Sequence, residues 1–383
     1  MQYRTFGKLD WKPSALGFGT MRLPVIDDDH SRIEENEATR MLHYAIDHGV
    51  NYVDTAYPYH GGTCEAFAGR ALQGGFRERV KLATKMPTWL IEAPGDFDRY
   101  LNEQLARLRT DHIDFYLLHG LNEERWPQVR DLDVLRWAEG AIADGRIGYL
   151  GFSFHDRYEV FQEVIDAYDG WTLCQIQYNY MDEEYQAGVK GLKYAADKGL
   201  ATVVMEPIRG GRLAKRVPQP IQEIWDTAPR KRTPADWALQ WVWNQAEVSL
   251  VLSGMSAMEH VEQNVASAEG SGPGTLTQDE LALIARVRDA YGELYPIPCT
   301  ACEYCLPCPS GVNIPRIFET HNDAIVYQDL QRGRLVYNRF IPPEERADLC
   351  TECEQCIELC PQGIDVPQWL AKAHELLYQE ESS

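Results

Sequence analysis

The chain lacks any apolar run of the roughly 18 residues that a membrane-spanning helix needs, and its longest apolar stretches are a fraction of that length. Its first residues, MQYRTFGKLDWKP, have no apolar core of the kind a signal peptide carries. A cytoplasmic location is the expectation. Positive charge is scarce: 37 Lys and Arg stand against 58 Asp and Glu, a net charge of −21. Such a chain repels phosphate backbones and shows no local basic patch to offset the repulsion, so neither nucleic acid nor a membrane is an expected partner. A Gly-x-Gly-x-x-Gly turn after the first strand is also missing, since Leu16-Gly-Phe-Gly-Thr20 is not one. That absence counts against a doubly wound sheet. Over the first 298 residues even cysteine is rare, with only Cys64 and Cys174, both read as buried structural thiols.

What is present is a rhythm. Short apolar runs recur at Ala15–Thr20, Tyr52–Asp54, Val80–Lys85, Ile113–Leu118, Ile147–Ser153, Thr172–Tyr178, Ala201–Met205 and Val248–Ser253. Between them, segments such as Glu35–His48, Phe97–Arg107, Tyr158–Ala167 and Gln186–Lys198 carry apolar residues at helical spacing. His48-Gly49, Asp144-Gly145 and Lys198-Gly199 place glycine where a left-handed helix cap belongs. Eight strand–helix units over about 250 residues match a (β/α)8 TIM barrel, an α/β fold. The rhythm breaks after Ser267, where a turn-forming Ser-Gly-Pro-Gly precedes a last helix from Thr277 to about Leu294. We therefore expect a barrel domain over 1–292 and a small helical domain over 293–383.

That second region contains eight of the ten cysteines, all between Cys299 and Cys360. It repeats itself: CTACEYCLPCPSGVNIP (299–315) aligns with CTECEQCIELCPQGIDVP (350–367). Crowded cysteines in a chain of expected cytosolic origin point to metal more than to disulfides. Cys350, Cys353, Cys356 and Cys360-Pro361 reproduce the C-x2-C-x2-C-x3-C-P run of bacterial two-cluster ferredoxins, and the segment resembles that family. The resemblance implies two 4Fe-4S clusters with crossed ligation. One would take Cys299, Cys302, Cys305 and Cys360, the other Cys350, Cys353, Cys356 and Cys308. The first run departs from the pattern, because two residues and not three separate Cys305 from Cys308. The alternative is a pair of four-thiolate zinc sites.

In the barrel, Asp54, Tyr59, Lys85 and His119 stand at or just beyond the C-terminal ends of consecutive strands, where barrel enzymes build their active sites. Singly, each has a bland explanation: a turn with a surface aromatic, a snorkelling lysine, a satisfied core histidine. Together, Asp54-Thr-Ala-Tyr-Pro-Tyr59, Ala83-Thr-Lys85 and Tyr116-Leu-Leu-His119 resemble the aldo-keto reductase family over about residues 2–267. The resemblance implies an NAD(P)-dependent oxidoreductase acting on a small carbonyl or alcohol substrate. Hydride reduction of a carbonyl leaves an alkoxide that must be protonated, and a phenol with a pKa of about 10 is a poor acid unless perturbed. Tyr59 is then the acid/base and Lys85 the cation that lowers its pKa. Asp54 anchors Lys85, and His119 orients the carbonyl.

The same resemblance implies a nicotinamide cofactor. Ser153 and Gln177 fall where the family binds the carboxamide, while Phe154 stands where asparagine is usual. Met205 replaces the stacking aromatic. The loop Glu206-Pro207-Ile-Arg-Gly210-Gly211-Arg212 offers backbone N–H groups and arginines to a pyrophosphate. Where NADPH-using members place a lysine and an arginine on the 2′-phosphate, this chain has Gly254 and His260, with Asn264 retained on the adenine side. NADH is therefore expected to compete well or be preferred. Apolar and aromatic residues (Met21, Tyr57, Trp89, Tyr180) suggest an apolar aldehyde or ketone. For the cysteine module, docking of a redox partner protein and shaping of the substrate pocket are equally open, and mere stabilisation of the tail is a third reading. An alternative for the whole chain is a retired reductase barrel that only binds, with the clusters alone active.

Overall fold

The structure, a computed structural model, describes residues 1–27, 29–299, 305–360 and 362–379. Eight strands, β1 (Leu16–Gly19), β2 (Tyr52–Asp54), β3 (Lys81–Met86), β4 (Ile113–Leu121), β5 (Ile147–Phe154), β6 (Leu173–Gln177), β7 (Ala201–Met205) and β8 (Val248–Gly254), form a closed barrel in sequence order. All pairings are parallel, and Leu16 lying beside Val251 closes the ring. The strands are apolar runs because both faces are covered, one by the barrel interior and one by the helices. At Gly49, Gly145 and Gly199 the backbone is left-handed, ending three helices before the next strand.

The barrel floor is filled from the N-terminus. Phe6 is wholly buried and packs on Phe115 with ring centroids 5.0 Å apart, while Trp11 meets Phe6 edge-on at 5.3 Å. Gly7 permits this plug, since a Cβ there would stand 2.7 Å from the Ala201 nitrogen. Asp114, near the floor, accepts from the Leu82 amide and pairs with Arg77 and Lys81, each at 2.8 Å. These contacts outweigh the upward push of burial and hold its carboxyl below the usual range.

The chain divides into two compact units. Residues 1–211 with 235–278 form the first, and 212–234 with 279–383 form the second. All but the first residue of the helix Gln278–Glu293, and residues 212–234, thus belong with the tail. In that unit the sequence duplication becomes a structural one. Each cysteine run leads through a left-handed glycine (Gly311, Gly363) and a capping side chain (Asn313, Asp365) into a helix, Ile314–Val326 or Val366–Leu377. The unit also has an apolar core of its own, including Ile317, Phe318, Tyr337 and Leu370.

Candidate active site

The eight strands end at one mouth, and the candidate residues divide into two arcs around it. Asp54 closes β2, Lys85 lies near the end of β3, and His119 lies near the end of β4. Tyr59 opens a tight turn after β2 whose next residue, His60, is left-handed and is tied by its ring nitrogen to the His30 carbonyl at 2.7 Å. That strained anchor fixes where Tyr59 emerges. His119 precedes Gly120 at an irregularity in the β4–β5 pairing, of the kind that re-aims a side chain at a strand end.

Lys85 joins the first arc. Its ammonium, fully shielded from solvent, donates to Asp54 Oδ1 at 2.6 Å, to the Thr55 carbonyl at 2.8 Å and to Tyr59 Oη at 3.3 Å. Burial alone would pull this amine down, yet Asp54 and then Tyr59 outweigh it, so the net shift is upward and the group stays charged. The same balance corrects the expectation for Tyr59. Burial raises its phenol by more than Lys85 lowers it, so the net direction is up and the hydroxyl is held neutral. His119 is pushed well below the usual imidazole range by burial, with Lys85, His155 and Arg125 adding repulsion. A neutral ring can donate to a carbonyl, and its Nδ1 is buried without a partner.

Behind Lys85 lies a network that sequence reasoning missed. Glu65, fully buried on the helix after Tyr59, accepts from Thr84 Oγ1 and Gln104 Nε2, both at 2.6 Å. Gln104 also donates to the Lys85 carbonyl at 3.0 Å and accepts from Tyr116 Oη at 2.6 Å. The only sequence clue was an acid in an otherwise apolar helix face. Cys64 and Cys174 are buried thiols pushed up to about 11 and about 12 by burial, in keeping with structural roles.

The second arc holds the candidate cofactor residues. Ser153 Oγ, at the end of β5, accepts from the Gly120 amide at 2.7 Å. Gln177 Nε2, at the end of β6, donates to Asp182, which also accepts from Asn179 and pairs with Arg209 at 3.2 Å. Met205 ends β7, with its sulfur 3.7 Å from Gln175 Nε2. Pro207 is buried, and Gly210 and Gly211 are both left-handed. Arg212 belongs to the other compact unit and is ion-paired with Asp323 there. Gly254 ends β8 and is exposed; His260 turns back to Ser256; Asn264 is buried and donates to Ser253 Oγ at 3.0 Å. Arg22, unnoticed in the sequence, lies along Gly254, where a Cβ would come 3.0 Å from its Cγ, and its guanidinium reaches the Gly210 side of the mouth.

In the tail, Cys299, Cys305, Cys308, Cys350, Cys356 and Cys360 pack against one apolar core, and Cys353 is exposed. Cys302 lies outside the described residues. Among the described residues the thiols do not close into a ready-made metal site. Burial pushes the Cys356 thiol up, with Cys350, Cys353 and Cys308 adding to the shift. Soft thiolates of this kind suit an iron–sulfur cubane.

No helix among the described residues is long and apolar enough to cross a membrane. The pattern of the aldo/keto reductase family matches residues 15–289, and that of a 4Fe-4S dicluster domain matches 298–364. The chain is 29% identical to the uncharacterized oxidoreductase YrpG of Bacillus subtilis over 56% of this chain and 68% of that protein. It is 29% identical to 6-dehydroglucose reductase of Novosphingobium aromaticivorans, over 48% and 64% of the two chains. Among solved structures, the holo form of an aldo-keto reductase from Bacillus halodurans aligns with a TM-score of 0.63 at 27% identity, covering 75% of this chain and 96% of that one. A Klebsiella pneumoniae aldo-keto reductase in complex with NADPH aligns at 0.61 with the same identity and coverage. With an eight-stranded barrel matched over most of its length, this chain belongs to the aldo/keto reductase family and carries a 4Fe-4S dicluster domain after its barrel.

Proposed function

We propose that the protein reduces an aldehyde or ketone to an alcohol, or runs the reverse, with NAD(P)H. The observation that carries this reading is the buried Lys85 ammonium, bonded at once to Asp54 and to Tyr59 Oη at the barrel mouth. The nicotinamide supplies a hydride when bound. The chain supplies the rest. His119 donates a hydrogen bond to the substrate oxygen and polarises it. Tyr59, held neutral until needed, gives its proton to that oxygen as negative charge develops there. Lys85 then stabilises the phenolate left behind, and Asp54 keeps the ammonium charged and aimed.

Ser153 and Gln177 would hold the carboxamide, Gly210 and Gly211 the pyrophosphate, and Asn264 the adenine side. The exposed Gly254 and His260, which turns back to Ser256, leave little cation for a 2′-phosphate. Arg22 along Gly254 restores one and limits the effect, and NADH should still match or exceed NADPH, by no more than about tenfold in kcat/KM. The tail would bind two 4Fe-4S clusters, with Cys308 serving the second run.

Anaerobically purified protein should be brown and contain iron, and a panel of carbonyl compounds should oxidise NADH and NADPH. Colourless, zinc-containing protein would replace the cluster assignment. Cofactor binding, seen as tryptophan quenching, without turnover of any carbonyl would leave the barrel a binding module. An NADPH preference above about a hundredfold would refute the cofactor reading.

A further inference from the structure

Arg125, the first residue of the helix Arg125–Asp131 that follows β4, has an arrangement that the reactions above do not use. Its side chain folds back so that Nη1 donates to the Gly120 carbonyl at 3.1 Å, while its backbone N–H donates to Asn122 Oδ1 at 2.8 Å. The guanidinium carbon then lies 5.6 Å from the centroid of the Trp89 ring. Trp89 meets His119 edge-on at 5.1 Å, and His119 meets Tyr59 edge-on at 6.1 Å. One line of contacts therefore runs from the proton donor, through the carbonyl-orienting ring and an apolar indole, to a half-buried cation.

In a chain of net charge −21, an arginine in this position would ordinarily be claimed by an acid. Glu123, two residues before it, is paired with Arg157. Among the described residues no carboxylate is ion-paired with Arg125. A guanidinium fixed by one backbone carbonyl and stacked on an indole keeps its other N–H groups for a bidentate acceptor. The Trp89 ring, 37% exposed, separates that acceptor from the reacting oxygen.

We propose that the substrate is a carbonyl compound bearing a carboxylate, which Arg125 binds across Trp89 while Tyr59 and His119 hold the carbonyl. The inference rests on the reductase reading and narrows it from an apolar carbonyl to an oxo acid with an apolar spacer. The carboxylate is a handle and is unchanged by the reaction. The carbonyl carbon gains a hydride from the nicotinamide cofactor, and its oxygen gains the Tyr59 proton.

The test compares para-carboxybenzaldehyde with its neutral methyl ester. The wild-type protein should favour the acid by about tenfold to a hundredfold in kcat/KM, the range of a charge-assisted hydrogen-bond pair. Arg125→Gln should collapse that ratio toward one, and Arg125→Lys should keep part of it. Binding of para-carboxybenzyl alcohol, followed by tryptophan quenching, should weaken by at least about tenfold in Arg125→Gln, with unchanged far-ultraviolet circular dichroism. Equal rates for acid and ester in the wild type, or equal losses for both in Arg125→Gln, would overturn the proposal and leave the reductase reading standing. If neither compound is reduced but alcohol binding still depends on Arg125, the reductase reading fails and the anion handle stands.

Discussion

Replacing Lys85 with methionine should damage stability as well as chemistry, and the structure says by how much. The ammonium is fully buried and serves three acceptors, Asp54 Oδ1, the Thr55 carbonyl and Tyr59 Oη. Asp54 is itself buried, and its other oxygen, Oδ2, already lacks a partner. Methionine fills much of the volume but leaves that carboxylate uncompensated, which costs about 3–5 kcal/mol for a buried pair broken on one side. Lys85→Met should therefore unfold the barrel earlier in urea and lower kcat by about 10²–10⁴. Adding Asp54→Asn should recover about 1–3 kcal/mol, because the orphaned charge is gone, while activity stays lost. The measurement is a double-mutant cycle in urea, read by intrinsic tryptophan fluorescence, alongside steady-state kinetics. A Lys85→Met loss below about 1 kcal/mol, or strictly additive single losses, would refute the idea that the pair is a buried, mutually dependent unit.

Two further outcomes follow from other parts of the molecule. Asp114 has its carboxyl held low by the Leu82 amide, Lys81 and Arg77 against the push of burial, so its stabilisation is present above the unfolded carboxyl pKa and is lost as pH falls through the lower folded value. Asp114→Asn should cost about 2–3 kcal/mol near neutrality, and the difference from wild type should shrink on the acid side in urea melts below about pH 4. Cys353→Ser should remove about half of the cluster absorbance and iron, since this thiol serves one of the two clusters. Lost electron exchange with intact carbonyl reduction would mark the module as an electron conduit, and a changed substrate KM would mark it as a pocket element.

The barrel was legible because each strand is an apolar run, glycine ends the helices before β2, β5 and β7, and the observed strands begin and end within three residues of those runs. Asp54, Lys85 and His119 were legible because the strand ends locate them. Three things were not. The direction of the Tyr59 shift depends on how deeply the phenol is buried, a quantity carried by the surrounding fold and not by its neighbours in sequence. Glu65 and Gln104 come from separate helices and meet each other behind the strand that carries Lys85, so no local pattern marks them. Arg125 and Arg22 read as ordinary surface arginines until folding shows what lies beneath them, an indole for one and the bare Gly254 backbone for the other.

The most direct test of the mechanism is single-turnover reduction by Tyr59→Phe with bound NADH, compared with the wild type under the same conditions. The phenylalanine variant keeps the ring and its edge-on meeting with His119 but has no proton to give. The hydride-transfer step should slow by at least about 10² while the NADH dissociation constant stays within about twofold. A variant that turns over near the wild-type rate would contradict the assignment of Tyr59 as the acid.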